Sequence, residues 1–311
     1  MPGYHLGYHF IREGGAPGPV ATPSRLRQHL SYFRDLGHEF LICGEVGRRL
    51  AGGFPLPKDY VSLSFDDGLA DHVNTVMPIL EEFGACATFF IISCALRHEM
   101  PPVTALQVAT AILGPERLTE ILARDILADT DYARILDPAF PLPPEVKQGE
   151  RPELRRLYWV VAHLLPMPKM REAMRIIFAD YVGTSEAREI FGEWCLGPAD
   201  VLELHRRGHE IGSHTATHPI LQHAALAEVE GEFRTAREEL SDLIGIPVRT
   251  FAWTYGGDYR DELQFLALRY YESAWNFRSR LSAMPAPPYR RSDIPRLNEA
   301  VWDPGTEIPT A

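Results

Sequence analysis

Apolar positions recur along this chain in two rhythms. Short runs with little polar interruption, Tyr60-Val61-Ser62-Leu63-Ser64-Phe65 and residues 85–92, have the length and composition of buried strands. Between such runs, apolar residues return every three or four positions. Leu26, Leu30 and Phe33 mark one face of a helix that Pro23 opens and that runs to about residue 36, and Val76, Ile79, Leu80 and Phe83 mark another over 71–83. Further strands are predicted at 6–10 and 38–43. After residue 197 the alternation resumes, with helices over 198–207, 224–244 and 259–269 and strands over 210–213, 248–253 and 271–274. Repeated strand–helix units imply a parallel sheet, and such folds carry their chemistry just beyond the strand ends.

The alternation breaks between about residues 96 and 197. From 103 to 195 the pattern is helical throughout, broken by Pro-rich steps such as Pro141-Leu142-Pro143-Pro144, and Leu157, Val160, Val161, Leu164 and Leu165 share one apolar face. The flanks lack linker composition, so the expectation is one domain over residues 1–311 with a helical insertion at 96–197, packed at one side of the site. No internal repeat is visible.

Composition narrows the function classes. An apolar content of 45% and a charged content of 23% are ordinary for a globular protein. The formal net charge of −11 argues against nucleic acid and anionic membranes as partners. The longest apolar stretch, 157–167, is too short to span a bilayer, and the first residues carry neither a basic segment nor an apolar one of the secretory kind. Cys43, Cys86, Cys94 and Cys195 are scattered, with no C-x-x-C, and suit buried thiols in a reducing compartment. A cytoplasmic location is the expectation. Gly-rich phosphate loops and G-x-S-x-G are absent, so nucleotide-driven chemistry and serine hydrolysis have no support.

Two motifs carry chemistry. Asp66-Asp67-Gly68 follows the strand at 60–65, and His214-x-x-x-His218 follows the strand at 210–213. Adjacent carboxylates repel, so a buried pair needs a cation or a shared proton; alone, Asp-Gly before a helix is also ordinary capping. Histidines at i and i+4 can share one metal ion, or can be plain surface or capping residues. Together they offer three ligands and one spare carboxylate, a set suited to metal-assisted hydrolysis. The His segment holds no acid of its own, so a base must come from elsewhere, and Asp66 is available.

With both motifs in this order, the chain resembles the polysaccharide deacetylase family, carbohydrate esterase family 4. Ser64-Phe65-Asp66-Asp67-Gly68 is similar to its first motif, Gly208 to His218 to its second, Phe251-Ala252-Trp253-Thr254-Tyr255-Gly256 to its third, and Gly7-Tyr8-His9 to its opening strand. The resemblance covers about residues 1–95 and 198–300. It implies a distorted (β/α) barrel with a divalent metal ion, usually Zn2+, at its mouth, and removal of an acyl group, most commonly acetyl, from an amino sugar. By motif match Asp67, His214 and His218 would be metal ligands and Asp66 the general base. Tyr255 would offer its backbone N–H to the oxyanion, with Trp253, Gly256, His9 and Arg296 lining the substrate side.

The departures are specific. The third-motif Arg that pairs with the base in many members is Ala252 here, and no His follows His223 to serve as the late acid. The pattern is closer to the capsule and biofilm deacetylase branch, with Ile294-Pro295-Arg296 late in the chain. Arg296 is expected to pair with Asp66, and His9 or a metal-bound water to supply the acid. Arg278, Arg280, Arg290, Arg291 and Arg296 crowd one segment against Asp293 alone. They suit either surface ion pairs or a handle for a phosphate-bearing sugar. Two rival readings stay open: a metal-dependent hydrolase of a non-sugar amide, and a catalytically silent glycan-binding relative.

Overall fold

The structure, a computed structural model, describes residues 3–14, 20–128, 130–141, 152–278 and 290–298. The Pro-rich break at 142–144 and Arg280 lie outside these residues. The described residues fall into two compact units, one drawn from 1–99 and 194–311, the other from 100–193.

The first unit is a barrel. Its strands are β1 (Tyr4–Tyr8), β2 (Phe10–Ile11), β3 (Val20–Ala21), β4 (Glu39–Phe40), β5 (Tyr60–Phe65), β6 (Thr88–Ile91), β7 (Glu210–Ser213), β8 (Thr250–Ala252), β9 (Ser273–Arg278) and β10 (Ile294–Asn298). In space the order is β1-β10-β9-β8-β7-β6-β5, and β5 pairs back onto β1, which closes a ring of seven strands, all parallel. β4 adds to the start of β5, where Tyr60 and Val61 meet Glu39 and Phe40. The small β2–β3 pair stands apart. This is the distorted (β/α) barrel that the motifs imply.

Around it run α1 (Pro23–Asp35), α2 (Cys43–Gly52) and α3 (Met77–Glu82), then α10 (Pro198–Arg206), α11 (Leu226–Ile244) and α12 (Asp261–Tyr270) once the second unit's helices are counted. Thr22 caps α1 by accepting the Arg25 N–H, and Pro23 supplies the fixed φ of its first turn. Strands wrapped by helices bury both faces, which is why β5 and β6 are buried at every position. Alternation then sorts side chains into two layers. Val61, Leu63, Phe65, Phe89, Ile91 and Phe251 pack outward with Leu26, Leu30 and Phe233 of the helices. Tyr60, Phe90, Ala252, Trp275 and Ile294 point the other way and fill the interior.

Several elements differ from the sequence expectation. The strand expected over 38–43 is only Glu39–Phe40, and Cys43–Gly52 is helix α2. A Cβ at Gly44 would collide with the Glu210 carboxylate, and one at Gly47 with the Ser273 hydroxyl, so the helix needs both glycines to lie against the barrel floor. There Glu210 accepts the Gly44 N–H at 2.8 Å and the Thr88 hydroxyl at 2.6 Å, and so caps α2. The last strand, β10, was also unforeseen, because Pro295 and Arg296 oppose a strand reading.

All the regular secondary structure described in the second unit is helical. It contains α4 (Pro102–Leu113), α5 (Pro115–Ile121), α6 (Asp131–Leu136), α7 (Pro152–Tyr158), α8 (Met167–Ile177) and the start of α9 (Thr184–Trp194), with π turns continuing α5, α7 and α8. Leu157, Val160, Val161 and Leu165 are buried in its own core beside Leu106, Leu118, Met174 and Ile177. Among the described residues no helix is long and apolar enough to cross a membrane.

Candidate metal centre

Alternation along β5 delivers the first carboxylate. Ser62, Ser64 and Asp66 share one face, and the Asp66 N–H still donates to the Tyr8 carbonyl at 2.9 Å, so the ladder with β1 runs through it. Regular geometry would send Asp67 to the outer face. Asp67 instead takes φ 76°, followed by Gly68 at φ 67°, and this break turns its carboxylate back to the same end of the barrel. β7 works the same way: Glu210, Gly212 and His214 alternate inward. Gly212 has no room for a Cβ, since Phe90 and Thr250 stand where it would go.

Asp67, His214 and His218 converge, each offering one ligand atom, with all three atoms within 4.8 Å of one another. His214 Nε2 lies 3.4 Å and His218 Nε2 3.6 Å from Asp67 Oδ1. All three residues are buried, and that Asp67 oxygen has no hydrogen-bond partner. The His214 Nδ1–H donates to the Ala252 carbonyl at 2.9 Å, which fixes the tautomer that leaves Nε2 a lone pair toward Asp67.

The protonation equilibria have the same cause. Burial opposes ionisation of Asp67, but the closeness of His214, then of His218 and His9, outweighs it and holds its pKa below the ordinary carboxylate value. Burial disfavours charged His214, but Asp66 and Asp67 reverse this and raise its pKa. Burial, with His214 and His9 nearby, takes His218 down to about 3, leaving it neutral. The cluster therefore favours positive charge between Asp67 and the imidazoles.

A divalent ion meets that demand. One carboxylate oxygen and two imidazole nitrogens are a zinc-type donor set, and bonds of 2.0–2.1 Å place tetrahedral ligand atoms about 3.3 Å apart. The two observed separations from Asp67 Oδ1 are close to that value. The residues present fit the group.

Asp66 is held differently. Arg296, from β10, forks onto it, Nη1 to Oδ1 at 2.7 Å and Nη2 to Oδ2 at 2.8 Å, and Nη1 also reaches Ser64 Oγ at 2.9 Å. Both residues are at most 1% exposed, and the guanidinium stacks 4.2 Å from the Phe277 ring centre. Burial raises the Asp66 pKa, but the Arg296 charge, then His214 and the fork's hydrogen bonds, bring it below its ordinary value.

The other expected site residues scatter. His9 stacks on the far-reaching ring of Phe277 at 5.2 Å and stands close enough to Asp66, Asp67 and His218 for its charge to bear on each. Tyr255 is 37% exposed, in the left-handed region at φ 62°, with its ring edge-on to His218 at 4.6 Å. Gly256 follows at φ 66°. Trp253 is 1% exposed in the layer between barrel and helices, its Nε1 bonded to the Ser292 carbonyl, so it packs and presents no surface to substrate. Arg296 likewise acts through Asp66, since its fork is consumed there. Arg290 lies 3.8 Å from Asp261, and Arg291 donates to the Glu272 carbonyl. Ser64, Phe277 and Phe90, around Arg296, were missed; the inward rhythm Ser62, Ser64, Asp66 was the available signal for Ser64.

Comparison with known proteins decides the lineage. The sequence model of the polysaccharide deacetylase family matches residues 54–126 and 163–271, more than half of the chain. The chain belongs to the polysaccharide deacetylase family. Among curated relatives, the poly-beta-1,6-N-acetyl-D-glucosamine N-deacetylase of Escherichia coli (strain K12) is 35% identical over 60 residues, 19% of this chain and 9% of that protein. The chain spans a third or less of the curated relatives it matches. Among solved structures, the Streptococcus pyogenes deacetylase PplD in complex with acetate is similar at TM-score 0.59 and 16% identity, over 95% of this chain and 91% of that one. IcaB from Ammonifex degensii is similar at TM-score 0.55 and 14% identity, over 98% and 93%. At such identity these likenesses speak to the barrel fold alone.

Proposed function

We propose that this polysaccharide deacetylase family member hydrolyses an N-acetyl group on an amino sugar of a glycan, with a divalent ion, Zn2+ by donor chemistry, held by Asp67, His214 and His218. One observation carries the reading: a buried, partnerless Asp67 oxygen faces two imidazole nitrogens, while the neighbouring carboxylate is held apart by its own cation. The names of the relatives, which act on N-acetylglucosamine polymers or are deacetylases, support the sugar and the acyl group.

The ion, when bound, supplies Lewis acidity toward the amide carbonyl and acidity to a water molecule. The rest falls to the chain's own residues. Asp66, kept ionised by Arg296, accepts a proton from the attacking water. Water adds to the acetyl carbon, the C–N bond breaks, and acetate and a free amine leave. His9, beside the cluster, is the candidate to protonate the departing nitrogen. The Tyr255 N–H is the candidate oxyanion donor, the preorganised kind of group that such a step needs.

The test is acetate release from β-1,4- and β-1,6-linked N-acetylglucosamine oligomers by zinc-loaded full chain, against a panel of formyl, ureido and cyclic amides. Turnover of the sugars that disappears in Asp66→Asn supports the proposal. Turnover confined to the small amides favours the non-sugar hydrolase. Metal and glycan binding with no acyl release from any donor makes it a binding relative.

A further inference from the structure

The segment that carries both histidines is held in an unusual backbone shape. Thr215 stands at φ 67° and His218 at φ 61°, the left-handed region where a β-branched or bulky residue is an outlier. Such shapes persist where the surroundings over-determine them. Ser93 N–H donates to the Thr215 carbonyl and Cys94 N–H to that of Ala216. His218 N–H donates to Thr215 Oγ1, and the Thr254 hydroxyl to the Pro219 carbonyl.

The remaining restraint comes from α11. Glu232 accepts the Thr217 N–H at 2.8 Å on one carboxylate oxygen and the Thr217 hydroxyl at 2.7 Å on the other. Two turns along the same helix, Glu239 accepts from the Ser93 hydroxyl and from Arg97, so one helix face fixes this segment and the strand end that braces it.

The two histidines are aimed by different means. The His214 ring is tethered through Nδ1 to the Ala252 carbonyl. The His218 ring has no such tether, because its Nδ1 is buried without a hydrogen-bond partner. The direction of the His218 ring must come from its backbone and from ring packing against His214 and Tyr255.

We infer that Glu232 is a positioning residue for the metal site: by clamping Thr217 it sets the backbone that aims His218 at Asp67. This rests on the metal-centre reading above. Outer partners that orient ligands typically carry 10–100-fold in metal affinity. A glutamine can keep both contacts, its oxygen accepting the N–H and its amide donating to the hydroxyl, whereas an alanine keeps neither.

Zinc affinity of the full chain is measured by competition with a chromogenic chelator, for wild type, Glu232→Ala, Glu232→Gln and Thr217→Val, alongside urea unfolding of the metal-free proteins. Glu232→Ala should weaken Zn2+ binding about 10–100-fold, Glu232→Gln should stay near wild type, and Thr217→Val should fall between. If Glu232→Ala fails to fold, Thr217→Val, which is nearly isosteric, carries the test. Zinc affinities equal to wild type in the alanine and valine variants overturn the inference. A wild type that binds no zinc fails the metal reading itself, and is told apart from the first result by that one titration.

Discussion

Arg296→Met is the most informative single change in this protein. The guanidinium and the Asp66 carboxylate are both sealed from solvent and joined by two bonds of 2.7 and 2.8 Å, with a third to Ser64. Methionine preserves much of the side chain's volume and suits the Phe277 and Phe90 rings that flank it. What it removes is the charge and the fork, so burial, which raises the Asp66 pKa, is then opposed only by the nearby His214 and His9. Breaking a buried pair from one side typically costs about 3–5 kcal/mol. At roughly 2–4 °C per kcal/mol for a chain of this order, Tm should drop by about 10 °C. Asp66→Asn in the same chain removes the orphaned charge, so the double variant should recover about 2 kcal/mol relative to Arg296→Met alone. Urea unfolding of the metal-free proteins at pH 7.5 reads all four corners of the cycle. A loss under about 1 kcal/mol for Arg296→Met, or a double variant as unstable as the sum of the singles, would show that the pair is not the buried charge couple described here.

Other consequences are as direct. Asp66→Asn should retain zinc by elemental analysis and lose about 10²–10⁴-fold in turnover, while Asp67→Asn should lose the zinc; a base variant with wild-type rate sinks the division of roles. Removing Arg296 should also move the acidic limb of the pH–rate profile upward, since the Arg296 charge holds the Asp66 pKa down. Gly44→Ala should unseat α2 from Glu210 and destabilise the chain by about 1–3 kcal/mol, the range for overpacking; an unchanged urea midpoint would refute the account of the barrel floor. Burial takes His5 and His29 down to about 3 and His72 to about 4, and all three are at most 1% exposed. The unfolded chain protonates them from pH 6.5 downward while the folded chain does not, so stability is full above about pH 7 and is lost as pH falls toward 4. Near pH 4.5 each histidine subtracts about 2–3 kcal/mol, and a stability that stays flat between pH 7 and 4.5 would contradict this.

Much of the fold was legible because parallel strands buried on both faces leave dense apolar runs, as at Tyr60–Phe65 and Thr88–Ile91. The failures share a cause. α2 and β10 are elements whose local sequence opposes their state and whose justification is tertiary. Gly44 and Gly47 weaken a helix that only the approach to Glu210 and Ser273 explains. Pro295 and Arg296 spoil a strand that closes the ring between β9 and β1. Propensity could not see contacts made so far apart in sequence.

The same logic governs the site. Asp66, Asp67, His214 and His218 were legible because two motifs at strand ends meet when the strands lie in one barrel. The partner of Asp66 was legible for a different reason: a buried acid beside a metal ligand demands a cation, and Ala252 leaves the third motif without one. Which cation it would be came from the resemblance to the capsule and biofilm deacetylases, with their late Ile-Pro-Arg, while local pattern pointed away from a strand there. Trp253 went the other way. Its place in a motif suggested contact with substrate, but β8 sends Ala252 inward and so Trp253 outward, into the packing against Phe251, Phe233 and Tyr259. A motif marks where a strand ends; the parity of each position along that strand decides which of its residues can meet a ligand.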